Sequence, residues 1–258
     1  MVQHPRINNG GRAQMLWVLG GFAVFIGSVL QRVAGTGVGL IVAPILVVAL
    51  GPSQGVVVAN VAACVAGFVL FLSVRKQVDW SRFGRFMPTT ILGSIAASAL
   101  ILVLPPAWLQ IGIGVVVLCA LALSVAMPRL PHRDGRIVLA VTGVVAGFLN
   151  TAAGVASPAF VIYARLARWE PKAFVATMQP AFAALGAISV TVKAISGVDF
   201  GPVASIPVLA GIVGLATLGL LLGAKIAAHV NGTTVRRLAL VLAAVGALAV
   251  VIRGISVL

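Results

Sequence analysis

Long stretches without a single Asp, Glu, Lys or Arg limit this chain's fold more than any other feature: 13–31, 33–74, 86–128, 137–164, 173–192 and 200–224. A helix crosses a bilayer with about 20 apolar residues, and within hydrocarbon every backbone N–H and C=O must be bonded inside the protein. A helix meets that demand in one segment. A barrel would need short alternating strands, and the sequence lacks that pattern. Charged residues make up 9% of the chain, against roughly 25% in an ordinary soluble domain. The expected fold is therefore an all-α polytopic membrane protein with the lipid bilayer as its first partner. Blocks 33–74 and 86–128 are each long enough for two crossings joined by a tight turn.

The formal net charge is +14, which in a soluble protein would point to nucleic acid. Here the Lys and Arg residues lie in the short segments between the apolar blocks. The bias of positive charge toward cytoplasmic loops accounts for them. The chain has no zinc-finger, RNA-binding or helix-turn-helix pattern, so no nucleic-acid partner is expected. Cys64 and Cys119 stand singly inside apolar blocks, which gives neither a disulfide framework nor a CxxC pair. Met1–Leu30 has a basic start and an apolar run but no convincing cleavage site. It reads as a first membrane segment rather than a signal peptide.

Two small-residue interruptions organise the rest. One is Gly35-Thr36-Gly37-Val38-Gly39, closed by Pro44; the other is Asn150-Thr151-Ala152-Ala153-Gly154-Val155-Ala156-Ser157-Pro158. Paired interruptions at corresponding places in two halves point to a transporter's binding site. Residues 1–14 are polar. Met15–Leu30 is either a full crossing or the first arm of a hairpin, and Leu40–Leu50 is the short returning arm. Spans are expected at 54–74, 86–104 and 108–127. In the second half, Ile137–Leu149 and Val155–Ala164 are short arms around the break, followed by spans at 173–195, 201–223 and 238–252. Landmarks recur in order: Pro44 with Pro158, Pro52 with Pro171, Asn60 with Gln179, Val78-Asp79-Trp80 with Val198-Asp199-Phe200, and Pro88 with Pro207.

Charge then sets the topology. Basic loops 75–85, 128–136, 165–172 and 224–237 fall on the cytoplasmic side. The uncharged turns 51–53 and 105–107, with 196–200, fall outside. Each half becomes a re-entrant or broken helical hairpin plus about three full crossings, an odd number that inverts one half relative to the other. The one conflict is that Arg6 and Arg12 fall outside. The units are a polar segment 1–14, a first transmembrane repeat 15–127, a basic cytoplasmic linker 128–136 and a second repeat 137–258.

At a hairpin tip, the first backbone N–H groups of the second arm have no intrahelical partner and carry the positive end of the helix dipole. Two such tips, Gly37–Leu40 and Thr151–Val155, would aim donors at one place, an arrangement suited to an anion. Alternatively, the glycines serve close helix packing. Arg32 lies beside the first tip. Its planar fork fits sulfite, sulfonate or carboxylate oxygens, or its stem snorkels to the headgroups. Asn60 and Gln179 would face a cavity or bond a neighbouring helix. Thr36, Thr151 and Ser157 are further donors, or bond their own backbone. The candidate substrate site is thus Arg32, Gly35, Thr36, Gly37, Gly39, Pro44, Asn60, Asn150, Thr151, Gly154, Ser157, Pro158 and Gln179. Cys64 reads as a small apolar residue, and Asp79 and Asp199 as helix caps.

The acids Asp79, Asp134, Glu170 and Asp199 all lie near span ends, and His4, His132 and His229 in polar segments. Cation transporters place such groups within the membrane, so metal transport is disfavoured, and no metal site or cofactor is expected. No nucleophile–base pair suggests an enzyme.

The Gln31…Gly35-Thr36-Gly37-Val38-Gly39…Pro44 stretch, its counterpart Gly147…Gly154…Pro158 and Val78-Asp79-Trp80 resemble the TauE/SafE family of membrane permeases, the sulfite exporters. The resemblance runs from about residue 20 to 252. It departs from the family at Thr151-Ala152-Ala153, where glycines are common. It implies transport of small organosulfur or other anions, often outward. The function expected is a cytoplasmic-membrane anion permease working by alternating access. The alternatives are a channel of the same fold and a non-transporting partner or sensor subunit.

Overall fold

The structure, a computed structural model, describes residues 9–34, 38–126, 132–227, 229–230 and 232–258. These residues form ten α-helices and two short 3-10 turns, with no strand among them. In chain order the helices are α1 (Asn9–Ala34), α2 (Val38–Leu50), α3 (Pro52–Val74), α4 (Trp80–Val103), α5 (Pro106–Ala126), α6 (Arg136–Ala153), α7 (Ser157–Leu166), α8 (Pro171–Ile195), α9 (Ile206–Ala227) and α10 (Gly232–Ile255). Five of them, α3, α4, α6, α8 and α9, are long and apolar enough to cross a membrane. The protein is a multi-pass helical membrane protein. By contrast α2 has 13 residues and α7 has 10, and at about 1.5 Å per residue neither reaches across.

Local chemistry sets the helix ends. Gly51, at φ 86°, turns the chain and Pro52 opens α3, a position where its missing N–H costs no helical bond. Asp79 caps α4 by accepting the Arg82 N–H at 3.0 Å. Glu170 caps α8 by accepting from the N–H groups of Lys172 and Ala173 at 2.9 and 2.6 Å. These bonds hold the Glu170 carboxyl below its usual range. At the end of α6, Gly154 adopts φ 72°, where an L side chain is strained. Its N–H bonds the Asn150 carbonyl, and the Val155 N–H bonds that of Leu149, closing the helix as glycine C-caps do.

Several expectations change. Ile137–Leu149 is not a short arm: α6 starts at Arg136 and continues through Asn150 and Thr151 to Ala153, 18 residues in all. The break itself is confined to Gly154–Ala156. The first helix begins at Asn9, so part of the expected polar segment 1–14 is helical. Pro44 lies inside α2, whereas Pro158 is in the first turn of α7, so the two prolines do not match in position. Gly201–Ala204 is a 3-10 turn that precedes α9, and the expected 224–237 connection is mostly helical.

A central pair, α3 against α8, holds the molecule together. A Cβ added to Gly67 would lie 2.6 Å from the Gln179 carbonyl oxygen, and one added to Gly186 would collide with the Asn60 carbonyl. Each helix thus offers its glycine to the other's amide-bearing turn, which lets the two backbones touch. Around this pair α4 packs on α6, α1 on α9, and α5 on α10. The ends of α1 and α6 (34 and 153), the starts of α2 and α7 (38 and 157) and the starts of α3 and α8 (52 and 171) are each the same number of residues apart. Exchanging corresponding helices turns the α4–α6 contact into α9–α1.

Two opposite ends follow from α3. At its start, one cavity of about 360 Å³ is lined by Gly51–Gln54, Leu104, Pro106 and Gly197–Asp199, which joins the uncharged turns. At its far end lie the exposed Arg75 and Lys76 and a polar–aromatic cluster. Arg82 Nη2 donates to Asp134 at 2.8 Å, the Tyr163 hydroxyl donates to Asp134 at 2.7 Å, and the Arg82 guanidinium sits 4.8 Å from the Trp169 ring centre. Asp79, Arg82, Asp134 and Trp169 thus gather at the end that carries the basic loops. Leucine and valine side chains cover the outer faces of α9 and α10, with Leu218, Leu221, Val241 and Val245 exposed, as a lipid-facing surface requires.

Candidate functional site

The first hairpin, α1–α2, packs with Gly20 beside Leu46 and Leu50, so it opens toward the uncharged end. The second, α6–α7, opens toward the basic end, where Arg133 N–H bonds the Leu166 carbonyl and Tyr163 reaches Asp134. The hairpins therefore enter from opposite ends, and their tips meet. Gly39, in the first turn of α2, lies so close to Gly154 that a Cβ there would overlap the Gly154 carbonyl. Gly154 in turn faces Ala43, Ala59 and Val56, its added Cβ falling 3.1, 3.5 and 3.8 Å from them. Only small side chains surround this point.

An amide pair braces the junction. Asn150 Nδ2 donates to Asn60 Oδ1 at 2.7 Å and to the Leu185 carbonyl at 3.1 Å. Asn60 Nδ2 donates to the carbonyls of Val56 at 3.0 Å and Asn150 at 3.3 Å. Both side chains are buried. The pair ties α3, α6 and α8 at the level of the second tip, so Asn60 takes the interhelical role rather than facing a cavity.

Two other polar atoms here have no partner among the described residues: the Thr151 hydroxyl, in a residue that is fully buried, and Gln179 Oε1. Gln179 uses its Nε2 on the Val175 carbonyl at 3.0 Å. A buried acceptor or hydroxyl left unpaired costs roughly 1–3 kcal/mol, so each has capacity for a bond to something else. The start of α7 has no side-chain cap, which leaves its first N–H groups as donors beside Gly154 and Ser157.

Other predicted residues sit apart. The Pro44 Cβ lies 3.0 Å from the Cβ position of Gly246 on α10, so Pro44 shapes α2 packing. Arg32 is half-buried in the last turn of α1, its stem against Gly223 near the basic end of α9. The four acids are engaged elsewhere: Asp79 and Glu170 as caps, Asp134 with Arg82 and Tyr163, and Asp199 on the Gly201 N–H at 2.7 Å. No carboxylate among the described residues pairs with Arg32. Gly35, Thr36 and Gly37 lie outside the described residues.

Sequence reasoning missed two side chains. Lys193 is 1% exposed and Ser189 fully buried, one turn apart on α8. The charge-free block stops at Val192, so Lys193 reads as a flank. Helix α8 runs only to Ile195, and Ala194 and Ile195 are exposed, but the Lys193 side chain in its last turn is covered. A lysine inside the stretch 173–195 was the signal.

Residues 19–250 match the protein family described as Sulfite exporter TauE/SafE. No curated protein and no solved structure matches the chain.

Proposed function

The chain belongs to the sulfite exporter TauE/SafE family, and from that premise we propose that it moves a small anion outward across the cytoplasmic membrane. The substrate class is sulfite, a sulfonate or a related organosulfur or carboxylate anion. One observation carries the reading: two hairpin tips entering from opposite ends meet at Gly39 and Gly154. Irregular backbone at that depth persists where protein buries it or where it lines a water-filled cavity, and the permease reading takes the second. The donors are the uncapped N–H groups of α7 at Ser157 and the Thr151 hydroxyl. The small residues at the junction let backbone donors approach an oxyanion without steric cost. Pro158 fixes the start of α7, as a first-turn proline does.

The two halves act as inverted repeats, 15–127 and 137–258. Their relative motion about the α3–α8 contact would expose the junction first to one side and then to the other. Arg32, at the basic end, supplies the charge that draws the anion in from the cytoplasm. Asn60 and Asn150 hold the second tip in place, and Gln179, whose Nε2 donates to the Val175 carbonyl, lies at the equivalent level of the first.

Reconstituted in liposomes, the protein should show saturable, counterflow-competent sulfite efflux. Arg32→Ala should abolish that flux while expression and folding persist. Non-saturable flux would instead mark a channel. Absence of flux for every sulfur oxyanion and 2-oxo acid would favour a partner or sensor subunit.

A further inference from the structure

Buried groups without partners are costly, and α8 concentrates them on one side. Gln179 Oε1 and the Ser189 hydroxyl have no hydrogen-bond partner among the described residues. Lys193, 1% exposed, makes no hydrogen bond or ion pair among the described residues. At 100° per residue, positions 179, 189 and 193 fall within about 80° of one another on the helix. They run from the level of the hairpin tips toward the uncharged end.

The levels can be fixed. Asn150 donates to the carbonyl of Leu185, so the second tip sits beside that residue. Ser189 is one turn further and Lys193 two, about 12 Å beyond Leu185 along the axis. Past Lys193 the chain turns at once: the Val198 N–H bonds the Lys193 carbonyl. Gly197, Val198 and Asp199 then line the 360 Å³ cavity at the uncharged end. Asp199, the nearest acid in sequence, makes no ion pair with Lys193, and its Oδ1 accepts the Gly201 N–H. The lysine therefore lies between the tip junction and the outer cavity with its charge unmatched.

We propose that Lys193 and the Ser189 hydroxyl form a second oxyanion-binding station, between the paired tips and the outer cavity. This rests on the permease reading above. An ammonium offers three donors and a hydroxyl one, a set suited to the pyramidal oxygens of sulfite. Unmatched charge buried in a membrane helix is retained for function rather than for stability. Arg32 then serves the cytoplasmic approach and Lys193 the outer one, so the anion meets a cation on each side of the junction.

The test uses the full-length protein, with sulfite as the probe. Lys193→Met removes the charge but keeps the volume. Its melting temperature without anion should equal or exceed that of wild type. Its sulfite KM in proteoliposomes should rise about tenfold or more, as expected for loss of a charge-assisted bond. The stabilisation that sulfite gives the detergent-solubilised protein should shrink in parallel. Ser189→Ala, a change small enough to fold in any case, should raise KM about threefold. Lys76→Met, which removes an exposed charge at the opposite end, should leave KM unchanged. Wild-type KM in both α8 variants, with wild type itself active, overturns the station alone. Wild type that neither binds nor moves sulfite overturns the permease reading and the station with it. If Lys193→Met fails to fold, Ser189→Ala decides: a raised KM supports the station, and an unchanged one overturns it.

Discussion

Asn60 and Asn150 show how a membrane interior assigns polar residues. Each amide has to find partners once water is gone. Here they find each other and three backbone carbonyls, which fixes the tip of α6 on α3 and α8. The sequence places Asn60 inside a span but does not show whether its partner is a solute or another helix. That depends on a contact 90 residues away. Lys193 escaped for a related reason: composition shows where charge ends a block, but burial is a tertiary fact. Asp134 is the residue with a pH signature. The Tyr163 hydroxyl, helped by Arg82, holds its carboxyl below the ordinary value. With the folded pKa lowered, the contribution is present above the ordinary carboxylate value. It is lost as pH falls through the folded one, because the unfolded chain takes up its proton first. Thermal unfolding of wild type and Tyr163→Phe in detergent should therefore differ most above the ordinary carboxylate range and converge as pH falls below it. A gap that does not change across that range would show that the bond is unlinked to ionisation.

At the scale of elements, the short arms were legible because helices that cannot cross must turn back, and α2 and α7 do so. The extent of α6 was not. Asn and Thr are weak helix formers, so Asn150-Thr151 reads as a break. Yet a last turn tolerates them when the glycine beyond, at φ 72°, does the stopping. Pro44 misled in the same way: a proline inside α2 is accommodated by packing on α10, and it marks no tip. The element that matters most is the contact between hairpins, and Gly39 tests it. A methyl group there would meet the Gly154 carbonyl, which is backbone and cannot rotate away. Gly39→Ala should force the tips apart and reduce sulfite flux at least tenfold while the helical circular dichroism is retained. Gly51→Ala is the matched control. Its Cβ would meet nothing within 4 Å, and only the φ of 86° is strained, so about 1 kcal/mol of stability should be lost with flux intact. Equal flux in wild type and Gly39→Ala would mean that the junction is packing and not path.

For the whole molecule, direction in the membrane is the property that links sequence charge to function. One end gathers Arg75, Lys76, Arg82, Asp134 and Trp169; the other carries the uncharged turns at Gly51–Ser53 and Leu104–Pro106. Lys and Arg next to spans are expected on the cytoplasmic side, an orientation that would put the first end inside and the 360 Å³ cavity outside. Arg12, at the start of α1, and Arg253, which donates to the Val48 carbonyl near Gly51, fall on the outer side and oppose this assignment. The basic segments at the other end outnumber them, and loop bias is counted over all short loops. A labelling experiment separates the two orientations. In a background with Cys64 and Cys119 replaced by alanine, Ser53→Cys should react with a membrane-impermeant maleimide in intact spheroplasts. Lys76→Cys should react only after the membrane is opened. Both positions lie at helix ends outside the central contacts, so each variant should fold. The reverse pattern would place Lys193 on the cytoplasmic approach and Arg32 on the exit. Outward movement would then have to begin at the lysine station, and the proposed order of the two cations along the path would be inverted.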